Sequence, residues 1–461
     1  MIRHLVQSGP QLLCRVCRGP RGIPIDLQAL KDHDLAKTRV IRSISRTLKE
    51  DQMGWICMPA PNRGEYLMKL LDLWGAITRC RSIAGALAAT LAVGMAAACG
   101  APSAAAESAQ TTGADIVRTA ALNRVVPAAM RQAKVPGAIV GVWQEGRRPY
   151  LQAFGVANTK TREPMRTDFN MRVGSLTKSF TVQAILQLVQ DGKVGLDDPI
   201  GKYVRGVPRG RVITLRQLAA MRSGLYNYLA DLDPNLYKDP QRAWTPQELL
   251  DVSFSRPLLF QPGTQFDYSN TNTVLLGLVV EKASGIPLHR YIRERITEPL
   301  GLRHTLLPTG AGALPSPHPR GYANSTPGKV VDATDWNVSF AWAAGGMISN
   351  LRDIGVWTRA LAKGRLITPA LQRERERFLP AEAEGHNAKY GLALELQSGV
   401  WKGHNGNISG FMTYPYYLPE ERMTVVMLIN ASTNVLGSWF MFGSIINTVA
   451  PNHRWPEPPQ E

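Results

Sequence analysis

The pattern of apolar positions is clearest in the segment that ends at Gln190, where it predicts a buried helix. Six apolar residues recur there at roughly helical spacing: Phe180, Val182, Ile185, Leu186, Leu188 and Val189. The polar pair Asp191-Gly192 follows, and glycine suits the left-handed position that ends many helices. The helix N-terminus would then lie in the segment Val173-Gly174-Ser175-Leu176-Thr177-Lys178-Ser179.

The body of the chain has strand patterns at both of its ends and helix patterns between them. The predicted strands cover 138–143, 150–154, 390–395, 410–417 and 423–429. The predicted terminal helices cover 115–133 and 437–449, and the chain between 196 and 306 is expected to be mostly helical with long loops. This order predicts one sheet built from both ends of the body, with a helical insertion.

A different pattern lies upstream of the body. From Met68, a basic stretch with Arg79 and Arg81 precedes an apolar run of small residues over 83–98. Basic residues, then an apolar run, then small residues form the order of a secretory signal. Because such a signal would start at Met68, we expect residues 1–67 to come from an over-extended reading frame, or else to be a disordered tail.

The small residues that lead into Cys99 are similar to a bacterial lipobox, in which the cysteine is lipidated and becomes the mature N-terminus. Cleavage after the Ala-x-Ala of 104–106 would instead secrete the protein, and an uncleaved run would be a short anchor. We favour a lipid anchor, because Cys99 is the one cysteine that the mature chain would keep. The stretch 100–113, rich in Ala, Ser and Thr, predicts a flexible tether. Residues 68–110 would thus be signal and tether, and 111–455 the folded domain.

Charge and cysteine content narrow the classes of function. The 461 residues include 53 Lys and Arg against 36 Asp and Glu, a formal net charge of +17, without a long basic run in the body. A nucleic-acid partner would need a basic patch, so none is predicted. All five cysteines lie in the first 99 residues, so the body has neither a disulfide nor a thiol nucleophile. The lone pair Cys14-x-x-Cys17 is a weak metal signal, and no metal or other cofactor is expected.

Ser175 and Lys178 are candidate catalytic residues. A serine at a helix N-terminus lies where free N–H groups and the helix dipole favour negative charge. Lys178 follows one turn later on the same face, which places an amine beside the hydroxyl. This pair suggests a nucleophile next to a proton acceptor. The alternative is an ordinary N-cap serine with a lysine nearby.

Two later segments could complete such a site. In the turn-rich loop before a helix at 273–282, Tyr268 offers a phenol for proton transfer and Asn270 an amide for a substrate carbonyl. The alternative is a buried tyrosine and a helix-capping asparagine. Near the end of the body, His404-Asn405-Gly406 precedes a strand, where glycine lets the backbone approach a ligand. The alternative there is a glycine-rich hairpin with an incidental histidine.

In this order, Ser-x-x-Lys, Tyr-x-Asn and His-x-Gly resemble the motifs of the serine β-lactamase and penicillin-binding family. The chain is most similar to its branch of class C β-lactamases, DD-carboxypeptidases, D-aminopeptidases and related esterases, over most of 115–450. Segments similar to those of that branch also occur at 192–199, 213–218, 223–225, 299–302 and 345–349. The resemblance implies an α+β fold, with an antiparallel sheet flanked by helices and an all-helical subdomain at about 197–340.

The resemblance also implies a role for each site residue. Ser175 would be the acylated nucleophile, and Lys178 and Tyr268 would share its proton and pass one to the leaving group. Asn270 would hold the substrate amide, and His404 and Gly406 would belong to the substrate-binding strand. The backbone N–H groups of Ser175 and Asn407 would form the oxyanion hole.

One departure from the family pattern bears on the substrate. Class C β-lactamases usually have Lys-Thr-Gly where this chain has His404-Asn405-Gly406, and histidine in the first place is common in the carboxypeptidase and aminopeptidase relatives. Losing the lysine weakens recognition of a carboxylate by charge. We therefore expect an extracytoplasmic serine hydrolase that acts on an ester or amide, a D-Ala-D-Ala-like peptide or a short acyl ester, with peptidoglycan as a candidate partner. The alternatives are a class C-like β-lactamase and a non-catalytic envelope lipoprotein that binds peptides.

Overall fold

Thirteen strands and twelve α-helices form the described part of the chain. The computed structural model describes residues 104–236, 238–326, 328–381 and 387–456. The predicted signal, the lipobox and Cys99 lie outside these residues. The strands are β1 (Gly137–Gln144), β2 (Tyr150–Gly155), β3 (Met171–Arg172), β4 (Tyr322–Thr326), β5 (Lys329–Asp332), β6 (Ile348–Ser349), β7 (Leu379–Pro380), β8 (Lys389–Tyr390), β9 (Glu395–Gln397), β10 (Trp401–Gly403), β11 (Gly406–Ile408), β12 (Phe411–Leu418) and β13 (Met423–Ile429).

The helices follow the same chain order. They are α1 (Ala104–Ala133), α2 (Thr177–Gln190), α3 (Leu215–Ala219), α4 (Leu229–Leu236), α5 (Pro246–Phe254), α6 (Asn270–Ser284), α7 (Leu288–Ile292), α8 (Glu298–Leu300), α9 (Trp342–Gly345), α10 (Leu351–Ala362), α11 (Pro369–Arg375) and α12 (Val435–Val449). None of the helices in this part of the chain combines the length and apolar character that a membrane crossing needs.

The main sheet confirms the predicted fold class. Its nine strands are antiparallel, in the order β2-β1-β13-β12-β10-β9-β8-β7, with β11 also paired to β12. β1 lies between β2 and β13, with Ala138 opposite Ile429 and Gln144 opposite Met423. The sheet is thus built from both ends of the folded body.

Both faces of the sheet are covered, which explains why β13 is apolar at every position but one. Val425, Met427 and Ile429 pack into one core together with side chains of α1 and α12. Val426 and Leu428 belong to a second, larger core that includes residues of α2, α6 and α10. Because successive side chains of a strand point to opposite faces, one strand contributes to both cores.

The helix α2 lies inside the larger core. All its residues from Thr177 to Leu188 are buried, polar ones included. Phe180 stacks on Trp357 of α10 with ring centroids 3.9 Å apart, and the Trp357 indole donates to the Ser179 hydroxyl at 2.9 Å. This packing fixes the helix whose N-terminus carries Ser175.

Three details differ from the sequence-based expectations. The predicted strand 390–395 is a hairpin of β8 and β9, because the turn between them includes Ala393 at a φ of +50° and places Tyr390 opposite Glu395. The segment expected to be all-helical also contains the β4–β5 hairpin. α1 begins at Ala104, within the stretch expected to be a tether, where alanine-rich sequence favours helix.

The stacked pair in the larger core gives the first prediction. Trp357 is 1% exposed, and replacing it by alanine removes the stack and leaves a cavity. Trp357→Ala should therefore lower the free energy of unfolding by about 3–5 kcal/mol, measured by urea denaturation. Val330→Ala is the control, because Val330 is 55% exposed and its loss should cost less than about 0.5 kcal/mol. Equal effects of the two changes would contradict this account of the core.

Candidate active site

Ser175 lies in a 3₁₀ turn, Gly174–Leu176, that runs directly into α2. The turn needs glycine at Gly174, whose φ is +53°. The Thr177 hydroxyl donates to the Gly174 carbonyl at 2.7 Å and accepts from the Met347 N–H at 3.1 Å. The half-buried Ser175 side chain is thereby held at the N-terminal end of a buried helix and at the edge of a cavity.

Lys178 is fully buried directly behind Ser175. Its Nζ lies 2.9 Å from Ser175 Oγ, 2.7 Å from Asn270 Oδ1 and 2.8 Å from the carbonyl oxygen of Ala344. The amide and carbonyl oxygens can only accept, whereas a serine hydroxyl can also donate. A neutral amine would use its two hydrogens on these two oxygens, which leaves its lone pair facing the Ser175 hydroxyl. This arrangement suits a base that removes the Ser175 proton.

The amide of Asn270 is fixed between Lys178 and a second amide. The Lys178 amine donates to the Asn270 oxygen, so this oxygen faces the lysine and Asn270 Nδ2 donates to Asn227 Oδ1 at 3.2 Å. The Asn270 backbone N–H also donates to Asn227 Oδ1 at 3.2 Å. Besides the predicted contact with the substrate amide, Asn270 therefore also positions the Lys178 amine.

Tyr268 completes the group around the lysine. Its ring centroid lies 4.7 Å from Lys178 Nζ, and Tyr268 and Asn270 both line the same cavity as Ser175. The Tyr-x-Asn segment lies where α6 begins, with Asn270 as its first residue. The structure therefore brings together the phenol, the amine and the hydroxyl that the sequence analysis singled out.

The backbone of β11 passes very close to the serine turn. A Cβ on Gly406 would lie 1.9 Å from the Val173 carbonyl oxygen, and a Cβ on Gly174 would lie 2.7 Å from the Asn407 nitrogen. Both positions therefore need glycine. Gly406 lies against the protein's own backbone rather than against the cavity. Asn407, the next residue, lines the same cavity as Ser175.

The cavity has a volume of about 520 Å³ and both polar and apolar walls. Its described lining residues are Ser175, Asn227, Tyr228, Leu229, Ala230, Leu236, Tyr268, Asn270, Phe340, Ala341, Ala344, Gly345, Asn407, Ile408, Ser409 and Ser432. All of these side chains are uncharged. In the described ranges, no cluster of three or more His, Cys, Asp or Glu residues could hold a metal ion.

His404 is not among the described residues that line the cavity. It is 1% exposed, with Nε2 2.8 Å from the Tyr390 hydroxyl and Nδ1 2.7 Å from the Asn405 carbonyl oxygen. Nδ1 also lies 3.2 Å from Glu395 Oε1. The structure thus places it behind the cavity wall, in contrast to the expected contact with substrate.

Burial keeps the His404 imidazole neutral. Loss of solvation lowers the His404 pKa to about 3 and the neighbouring Lys178 adds to the shift, although the hydrogen bond to the Asn405 backbone opposes it. The nearby Glu395 favours the charged form of the imidazole, but the loss of solvation of a ring that is 1% exposed outweighs it.

Sequence reasoning missed the residues that support the site. Asn227 lies just after the 223–225 segment that carried part of the family resemblance, but its residue type alone gave no signal. The Ala344 carbonyl is a backbone group, which no residue type encodes. The predicted strand 390–395 contains both Tyr390 and Glu395, and residues five positions apart in one strand do not pair. A turn predicted at Gly391 would bring these two residues together.

Comparison with known proteins assigns most of the described chain to one family. The family model described as Beta-lactamase matches residues 122–437. A D-aminopeptidase of Cereibacter sphaeroides is 28% identical over 342 residues, which cover 73% of this chain and 65% of that protein. The esterase EstB of Burkholderia gladioli is 32% identical over 200 residues, which cover 40% of this chain and 50% of the esterase. The chain thus spans less than two thirds of the length of these relatives.

A solved structure agrees with these relatives. The D-stereospecific amidohydrolase from Streptomyces sp. superposes with a TM-score of 0.65 at 33% sequence identity. The match covers 72% of this chain and 98% of that structure. Both the predicted family resemblance and the predicted fold class are confirmed by these comparisons.

The buried imidazole gives a prediction about pH. Because the His404 pKa is about 3 in the folded protein and about 6.5 in an unfolded chain, the unfolded state binds an extra proton between these values. The contribution of His404 to the free energy of unfolding is thus fully present above about pH 6.5 and decreases as the pH falls toward 3. From pH 6.5 to 5 the loss should be about 1.6 kcal/mol, measured by urea denaturation.

His404→Gln provides the comparison, because glutamine cannot titrate in this range. The variant should lose less stability than the wild type between pH 6.5 and 5, even if it starts from a lower value. NMR titration of the imidazole supplies a direct reading. A protonation midpoint near 6.5 for His404 would contradict a neutral buried ring.

Proposed function

Because this chain belongs to the β-lactamase family of serine hydrolases, we propose that it hydrolyses an ester or amide through an acyl-enzyme on Ser175. The observation that carries the proposal is the contact of Lys178 Nζ with Ser175 Oγ at 2.9 Å, beside two oxygens that only accept. A hydroxyl at the edge of a cavity and a matched proton acceptor behind it are what acyl transfer requires.

The first half of the reaction forms the ester on the serine. Ser175 Oγ attacks the substrate carbonyl carbon while its proton passes to Lys178 Nζ. The carbonyl oxygen gains negative charge, and the backbone N–H groups of Ser175 and Asn407 would donate to it across the narrow contact between β11 and the serine turn. The N-terminal end of α2 adds a favourable field. The proton then moves through Lys178 and Tyr268 to the leaving nitrogen or oxygen, whose bond to the carbonyl carbon breaks as the carbonyl forms again and the amine or alcohol departs.

The second half of the reaction regenerates the free enzyme. Water attacks the acyl carbon, its proton passes to the Lys178–Tyr268 pair, and the C–O bond to Ser175 breaks as the serine regains a proton. The same groups thus act first as base and then as acid. Each step balances without a metal or an organic cofactor.

The residues that line the cavity favour a substrate with an uncharged acyl group. Leu229, Leu236 and Phe340 form an apolar wall, and Asn227 and Ser432 supply uncharged polar groups. Asn227 uses its oxygen on Asn270, so its NH₂ group is oriented as the donor toward a substrate carbonyl. We therefore favour a short acyl ester over a substrate recognised by its carboxylate. The amide of an apolar D-amino acid, which carries an amine and no carboxylate, is the second candidate and is supported by the relatives rather than by the walls. The D-Ala-D-Ala-like peptide, benzylpenicillin and peptidoglycan stay candidates of lower rank.

The test is an intact-mass time course with the full chain. p-Nitrophenyl butyrate should add a butyryl group to the wild type and none to Ser175→Ala, while Lys178→Ala should lower kcat/KM by about 10²–10⁴-fold. Ser255→Ala, an exposed serine outside the cavity, is the matched control and should behave as the wild type. Unchanged turnover in Ser175→Ala would overturn Ser175 as the nucleophile, and a wild type that forms no adduct and turns over no ester, amide or β-lactam would favour a binding protein. Benzylpenicillin in the same assay distinguishes a β-lactamase, which would turn it over faster than the ester.

We also propose that the protein acts outside the cytoplasm and is lipid-anchored through Cys99. The support is the sequence pattern alone: a basic stretch, an apolar run and small residues before the cysteine. In a bacterial host, the full chain should fractionate with the membrane and incorporate labelled palmitate. Cys99→Ser should abolish the label and leave a secreted form or an uncleaved precursor. Labelling that persists in Cys99→Ser would contradict the proposal.

A further inference from the structure

A buried polar cluster lies directly behind the site, and the reaction just described does not use it. Glu395, His404, Tyr390 and Tyr416 are each 1% exposed or less. Burying a carboxyl group and an imidazole is unfavourable unless both are hydrogen-bonded. Their hydrogen bonds therefore define what this cluster does.

The hydrogen bonds fix where the protons lie. His404 Nδ1 is 2.7 Å from the Asn405 carbonyl oxygen and 3.2 Å from Glu395 Oε1. Because a carbonyl oxygen can only accept, Nδ1 must carry the hydrogen. In a neutral ring, Nε2 then has a lone pair, so the Tyr390 hydroxyl donates to it across 2.8 Å. The Tyr390 hydroxyl thus has a defined direction.

On one side the cluster reaches Tyr268. The rings of Tyr390 and Tyr268 meet edge to face, with centroids 6.4 Å apart and an angle of 89°. The His404 and Tyr268 centroids are 6.3 Å apart. Tyr390 forms a small buried core with Met221 and Ala381, against which Tyr268 packs. The position of Tyr390 therefore sets the back wall for the Tyr268 ring.

On the other side the cluster reaches the strand that passes Ser175. Glu395 accepts from the Asn405 N–H at 3.3 Å and from the Tyr416 hydroxyl. Asn405 thus bonds Glu395 through its N–H and His404 through its carbonyl. The next residues are Gly406 and Asn407, whose backbone lies against the serine turn.

We propose that Glu395, His404 and Tyr390 form a positioning unit that holds Tyr268 and the backbone of Asn407 in their reactive places. None of the three touches the substrate; each acts through another group. The proposal rests on the proposed function, because it assumes that Tyr268 transfers a proton and that Asn407 binds the oxyanion. His404 is accordingly a positioning residue, in place of the substrate contact expected from the sequence.

The test uses Tyr390→Phe, which removes one hydroxyl and keeps the ring. With p-nitrophenyl butyrate, kcat should fall by about tenfold to a hundredfold, because a small misplacement of a catalytic group has effects of that size. KM should change by less than about threefold, since no substrate contact is lost. Tyr291→Phe is the matched control: Tyr291 is also buried, and its hydroxyl has no hydrogen-bond partner in the described structure. Its kcat should equal that of the wild type.

A double-mutant cycle separates positioning from a general structural role. In a Tyr268→Phe background, Tyr390→Phe should lower kcat by less than about twofold, because the group it positions can no longer transfer a proton. The same loss in both backgrounds, or no loss in Tyr390→Phe alone, would overturn the proposal. Glu395→Gln acts through the Asn407 backbone instead, so it should lower kcat in both backgrounds with little change in KM, and it serves if Tyr390→Phe does not fold; an unchanged kcat in Glu395→Gln would contradict the proposal. Failure of the proposed function is recognised separately, since Ser175→Ala would then stay active.

Discussion

The buried amine of Lys178 is the constraint on which the rest of the structure depends. Its three oxygen neighbours come from the 3₁₀ turn before α2, from α6 and from α9, elements far apart in sequence. An amine without such partners would be very unfavourable at a position with no solvent contact. The three elements must therefore keep fixed relative positions, and the apolar core around Phe180 and Trp357 supplies the rigidity. The packing that stabilises the fold therefore also fixes the positions of the groups that contact the lysine.

Two buried arginines are likewise held by neutral oxygens rather than by carboxylates. Arg172 is 1% exposed and donates to the carbonyl oxygens of Gly312, Ala333 and Trp336, and burial lowers its pKa to about 10. Arg375 is fully buried and donates to the amide oxygen of Gln183 on α2. Carbonyl and amide dipoles hold these groups in one orientation without a second charge to bury. Arg172 thus fastens loops to β3, the strand just before the serine turn, and Arg375 fastens α11 to α2.

Much of this arrangement could be predicted from the sequence. The spacing of apolar residues after Lys178 predicted α2, and the apolar runs around Val140 and Val426 predicted β1 and β13. These segments are long and periodic, and such patterns follow directly from which side chains are buried. The family resemblance joined Ser175, Lys178 and Tyr268 into one site. It could not place His404, because residue type says nothing about which way a side chain points at a strand end. The hairpin that joins Tyr390 to Glu395 depends on a backbone approach at Gly391, whose Cβ would meet the Arg375 carbonyl oxygen at 2.0 Å.

The contact between the serine turn and β11 has a consequence for the order in which the protein is made. The turn at Gly174 emerges from the ribosome long before Gly406, and no side chain intervenes where the two backbones meet. The strand β1 likewise waits for β13, the last strand among the described residues. A nascent chain can therefore hold the serine and its lysine while it lacks the Asn407 N–H of the proposed oxyanion hole. The hydrolytic activity proposed above would thus belong to the finished chain and not to the nascent one.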